Sequence, residues 1–260
     1  MKNHKMNRLI SRLYHTIIRT LGSLGVVFLL VITVACGTQK IAKEKVWVTK
    51  RQTSYDGAGN KMYWFTYKYD DNGKAIKLTS YQQNGIVWGR GEFDDEGNVI
   101  KFKNYDSAGT VSNWTEYEYD AQGNRIKNID YDSDGKVSGW SEKEYDEQGN
   151  VIKDARYGSD GSVLYFAKYE YEYDNHGNEL RHTMYDSDDE ILSQTEVKYD
   201  EHGNAIKSID YNPDGAVSGW TEIDYDKNGN VTKMFFYSGD GTLSFRTEFE
   251  CEAISVKKPK

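Results

Sequence analysis

Six aromatic side chains recur at one phase of the chain: Trp64, Trp88, Trp114, Trp140, Phe166 and Trp220. An indole or phenyl face can stack on a sugar ring. If these side chains stood in one column, one per hairpin and roughly 10 Å apart, they would follow an extended polymer. Gln194 and Arg246 fill the remaining steps of the same phase. Large aromatics also bury well and pair across strands, so the row reads equally as the packing spine of a sheet. The two roles are compatible where a thin sheet leaves apolar surface uncovered.

Other groups with chemical potential are weaker candidates. Glu116, Glu142 and Glu222 could serve acid–base work, but they recur at one phase. An active site needs one environment that drives a pair of pKa values apart, and a repeat offers the same pair many times over. The chain lacks G-x-S-x-G, H-E-x-x-H, C-x-x-C and phosphate-cradling glycine motifs. A non-catalytic protein without a cofactor is therefore expected. Acidic turns such as Asp132-Ser133-Asp134-Gly135 and Asp186-Ser187-Asp188-Asp189 are poor calcium loops, because Gly135 falls at the fourth position and Lys143 stands where a bidentate Glu belongs. His176 and His202 share a phase, but no further ligand is placed beside them, and His182 is an isolated strand residue. No metal is expected.

The elements that would position these residues are repeats. Tyr/Phe-Asp-x-x-Gly, in most copies followed by Asn, begins at Tyr69, Phe93, Tyr119, Tyr145, Tyr173, Tyr199 and Tyr225, at spacings of 24, 26, 26, 28, 26 and 26 residues. A second series at Tyr55, Tyr81, Tyr105, Tyr131, Tyr157, Tyr185, Tyr211 and Tyr237 lies between them, so the unit is a half-repeat of 12 to 16 residues. Each half-repeat carries one turn signal, in most copies with Asp at its first position and Gly at its fourth, flanked by Tyr, Trp, Ile, Val and Thr, which favour strands. Every spacing is even, so an insertion lengthens a strand without flipping its faces. The expectation is an all-β chain of tandem antiparallel β-hairpin repeats. They would form one elongated, twisted, solenoid-like sheet on the order of 70 Å long.

Tyr117-Glu118-Tyr119-Asp120 with Gly123 and Asn124, and again Tyr171 to Asn178, resembles the YD repeat of RHS-type proteins over residues 55 to about 250. Asn stands where that repeat often has Arg, and seven full units are far fewer than the arrays that close into a hollow shell. MORN-type hairpin repeats are a looser relative in period, without their Gly-rich signature. The resemblance implies a β-repeat fold, and such repeats occur in toxin carriers, adhesins and wall-associated proteins alike.

Residues 1–35 read as a secretory signal: Lys2, Lys5, Arg8, Arg12 and Arg19 precede an apolar run from Leu21 to Ala35. Ala35-Cys36-Gly37 resembles a bacterial lipobox, although Thr33 sits where Leu is commoner, which implies that Cys36 is the lipid anchor and the mature N-terminus. The organisation expected is a signal helix (1–35), lipidated Cys36 and a tether (36–50), the repeat array (51–252) and a basic tail (253–260). The chain has two cysteines, Cys36 and Cys251, so lipidation would leave no structural disulfide. Without residues 1–35 the chain keeps 28 Lys and Arg against 41 Asp and Glu, a net charge of −13. That balance argues against nucleic acid. The expected partners are the bacterial membrane through Cys36 and, outside it, a cell-wall or capsular polysaccharide or a surface protein.

Overall fold

A computed structural model describes residues 45–256. The signal segment, Cys36 and the first part of the tether lie outside the described residues, as do 257–260. Sixteen strands follow one another: β1 (Lys45–Asp56), β2 (Lys61–Tyr69), β3 (Ala75–Gln82), β4 (Val87–Phe93), β5 (Val99–Tyr105), β6 (Val111–Tyr119), β7 (Arg125–Asp132) and β8 (Val137–Tyr145). The second half comprises β9 (Val151–Gly158), β10 (Val163–Tyr173), β11 (Glu179–Tyr185), β12 (Ile191–Tyr199), β13 (Ala205–Tyr211), β14 (Val217–Tyr225), β15 (Val231–Ser238) and β16 (Leu243–Ser255). Strand pairing thus reaches back into the stretch read as tether and forward into the one read as tail.

Each turn is built alike. In the turn after β6, the Gly123 amide donates to the Asp120 carbonyl (3.0 Å) and the Asp120 amide to the Asn124 carbonyl (2.9 Å). Fourteen of these turns place a glycine at φ between 77° and 88°, and the one between β11 and β12 places Asp189 there at 62°. The Asp120 carboxylate accepts the amides of Gln122 and Asn124 and the Asn124 side chain. This explains the Asp, Gly and Asn of the motif without a ligand. The motif tyrosine fastens the turn to the neighbouring strand: Tyr119 Oη donates to the Val99 carbonyl (2.8 Å), and Tyr69, Tyr145, Tyr199 and Tyr225 make the equivalent bond, whereas beside the Tyr173 motif it is Tyr171 that makes it.

The hairpins are as expected, but the open, elongated sheet is not what they form. β1 pairs antiparallel with β16 from Lys45↔Ser255 to Asp56↔Phe245, so all sixteen strands close into one antiparallel barrel. An open sheet would leave two long edges of unpaired backbone, and closure removes both. A register shift beside every turn supplies the curvature, since bulges repeated in the same place bend every strand pair in the same way. Ser54 and Thr247 meet across the seam through their hydroxyls (3.2 Å).

Two apolar clusters flank the seam on the inner wall, with Gln52, Ser54 and Thr247 buried at the seam itself. Phe65, Tyr67, Leu78, Val99 and Phe102 form one cluster, and Ile223, Val231, Met234, Phe236 and Phe249 another.

Candidate functional site

The expected aromatic row is assembled on the outer wall. Trp64, Trp114, Trp140 and Trp220 each lie flat on the tyrosine of the following strand: Tyr81, Tyr131, Tyr157 and Tyr237, with centroids 5.0–5.1 Å apart and planes within 16°. The other face is covered as well. Lys101 Nζ, from the preceding strand, stands 4.8 Å over Trp114, Lys207 takes the same place over Trp220, and Lys61 lies 3.9 Å from the Trp64 centroid. Phe166 has Lys153 at 5.9 Å. Trp88 departs from the series: it meets Phe102 edge-on at 6.4 Å and packs against the Phe65–Phe102 cluster. All six rings are half-buried. A sugar needs an open ring face, and Trp64, Trp114 and Trp220 give both faces to neighbours.

The recurring carboxylates are likewise engaged outside. Glu116, Glu142 and Glu222 pair with Lys101, Lys127 and Lys207 at 2.8–2.9 Å, and Arg181–Glu196 repeats the arrangement. The lysine pulls the Glu116 carboxyl below its ordinary value, against partial burial. His176 and His202 sit on exposed turns, and no group of three or more metal-ligating side chains occurs among the described residues.

The inner wall differs from repeat to repeat. One inward slot, three residues into each odd strand after β1, holds Leu78, Phe102, Asn128, Asp154, His182, Ser208 and Met234. It is apolar at both ends of the chain and polar in between. Across β5–β9 the inward side chains bond to one another: Asn104 Nδ2 to Asn113 Oδ1 (2.6 Å), Thr115 Oγ1 to Asp130 Oδ1 (2.6 Å) and Asn128 Nδ2 to Ser141 Oγ (2.9 Å). Lys143 and Asp154 form an ion pair about 15% exposed. Further round, His182 Nδ1 lies 2.8 Å from Glu179 Oε1, both buried, with Tyr169 and Tyr171 beside the imidazole.

Asn113 and Arg156 face inward by register and are nonetheless exposed, so solvent enters this part of the barrel. Reading the sequence by its most regular phase missed this wall. The available signal was the opposite phase, where Glu179 stands in a slot otherwise filled by Ala75, Val99, Arg125, Val151, Ala205 and Val231.

No protein-family profile matches the sequence, and no curated protein does. Among solved structures, the chain is similar to a porin-like protein from Bacteroides uniformis (13% identity, 78% of this chain and 98% of that one, TM-score 0.37). It is also similar to a porin-like protein from Bacteroides vulgatus (14%, 78% and 97%, TM-score 0.40). A third match is a chain of the Photorhabdus luminescens Tc holotoxin pore (12%, 76% and 15%, TM-score 0.22). At this level of likeness they give the chain neither a family nor an activity.

Proposed function

We propose that the protein is an extracytoplasmic, non-catalytic binding module, held at the bacterial membrane by lipid on Cys36, for a cell-envelope polysaccharide or similar repetitive surface polymer. The observation that carries this reading is the composition of the outer wall. A barrel that spans a bilayer needs an apolar outer band about 25 Å tall. At mid-height this one carries the Lys101–Glu116, Lys127–Glu142, Lys153–Glu144 and Lys207–Glu222 pairs among half-buried Trp and Tyr rings. Such a wall belongs in water, and attachment to a membrane then falls to the chain end.

The barrel offers a protein partner no open edge strand, because β1 and β16 pair with each other. Fractionation of cells carrying the wild type and Cys36→Ala tests the anchor, with loss from the membrane fraction expected for the variant alone. A lipid thioether and a disulfide compete for the same sulfur, so a membrane-bound wild type in which Cys36 bridges Cys251 would refute lipidation. A glycan array probed with the soluble fragment starting at Gly37 tests the ligand class.

A further inference from the structure

The polar arc of the inner wall carries a more specific reading, which rests on the proposed function above. We propose that the inward faces of β5–β9 form a saccharide site, with Asn113, Asn128, Asp130 and Arg156 as hydrogen-bonding groups and Tyr117 as the ring beside them.

Cross-strand register places these residues together. Tyr117, Asn128, Ser141 and Arg156 lie on one row of directly paired positions, and Thr115 and Asp130 occupy the row beside it. Asn113 and Arg156 are open to solvent, while the rest are half-buried. The Tyr117 ring is held by the Arg125 guanidinium 5.1 Å from its centroid. Asn128 spends its amide on Ser141 and leaves Oδ1 buried with no protein partner. A buried carbonyl without a donor costs about 1–3 kcal/mol, and a ligand hydroxyl can remove that cost.

The class of ligand follows from the charge balance. Arg125, Lys143 and Arg156 are matched by Asp130, Asp132 and Asp154 on the same wall. Three cations against three carboxylates give no net attraction for an ionic polymer. Side-chain amides, carboxylates and a guanidinium around an aromatic ring instead offer both donors and acceptors to a neutral compound rich in hydroxyls. This composition is found nowhere on the outer wall, where the cations are spent on Glu and on ring faces. The apolar inner wall of β14–β16 and β2–β3 offers no comparable set of polar groups.

The test is a glycan array followed by titration of the best neutral oligosaccharide into the fragment starting at Gly37, with four proteins compared: wild type, Arg156→Met, Asn128→Ala and Trp140→Phe. Arg156 is exposed, so Arg156→Met is expected to fold as the wild type does, judged by its melting curve. It should weaken binding roughly tenfold or more, the usual scale for a hydrogen bond to a charged group. Asn128→Ala should weaken it by roughly two- to tenfold, the scale for a neutral hydrogen bond, Trp140→Phe should bind like the wild type, and affinity should be indifferent to salt between 50 and roughly 500 mM. If a glycan binds but the inner variants retain wild-type affinity, the site is elsewhere and this inference fails while the proposed function stands. Affinity that falls steeply with salt would mean an anionic ligand and would also overturn it. A wild type that retains no glycan overturns both.

Discussion

Replacing Trp114 by Ala separates the two roles open to the outer aromatic row. The side chain is half-buried, stacked on Tyr131 at 5.1 Å and 13°, and covered on its other face by Lys101. Truncating a fully buried Trp costs about 3–5 kcal/mol, of which a half-buried ring keeps roughly half. That figure already contains the aromatic pair, about 0.5–1.5 kcal/mol, and the cation over the ring, about 0.5–1 kcal/mol. The expected loss is therefore about 2 kcal/mol. For a chain of this size that lowers the melting temperature by about 4–8 °C. Calorimetry on the fragment starting at Gly37 reads it directly, and Trp114→Phe should recover much of the loss by restoring a ring against Tyr131. If Trp114→Ala melts within about 1 °C of the wild type and has lost glycan retention, the row is a ligand platform and the assignment of both ring faces to packing is wrong.

Three further outcomes follow from the turns. Asp189 is the only non-glycine at positive φ among the described residues, so Asp189→Gly should gain about 0.5–1 kcal/mol, even at the loss of its exposed pair with Lys168; a variant less stable than wild type by chemical denaturation would refute this. Tyr119→Phe removes the bond to the Val99 carbonyl, and burial holds that phenol protonated, its pKa pushed up to about 12. The expected cost is about 1 kcal/mol, and no change would mean that the ring alone secures the turn.

The third concerns acid. The turn carboxyls of Asp56 and Asp70 are held below their ordinary value chiefly by bonds from Asn60 and from the Lys74 amide. At Asp120 partial burial pushes the other way and is outweighed by bonds from Asn124 and neighbouring amides. A carboxyl depressed in the folded state stabilises above its unfolded pKa and loses that contribution as pH falls through the folded value. The melting temperature should be flat from pH 7 to about 5 and drop below about pH 4. A melting curve unchanged at about pH 2.5 would show that these bonds carry no net stability.

The hairpins, the turn chemistry and the parity of the outer face were legible because each is written within a dozen residues. An Asp and a Gly at fixed offset fix the bend, and an even spacing returns Trp64, Trp114, Trp140 and Trp220 to one side. Closure is written otherwise. Its contacts join residues as far apart as Ser54 and Thr247, and no local pattern names that partner. A trace of it lies in the inward slot that begins with Leu78 and Phe102, passes through Asn128, Asp154, His182 and Ser208, and ends with Met234.

In an open ribbon those two apolar ends would be separated by the whole length of the sheet, each exposing its aromatics beside an unpaired edge. Pairing β1 with β16 brings them round to either side of one seam, where both clusters are buried, and leaves the polar slots together on the opposite arc. The driving force for closing the barrel and the polar wall proposed to take a ligand thus come from the same departure from repetition. A chain with identical inward slots would have neither a preferred seam nor a distinct side.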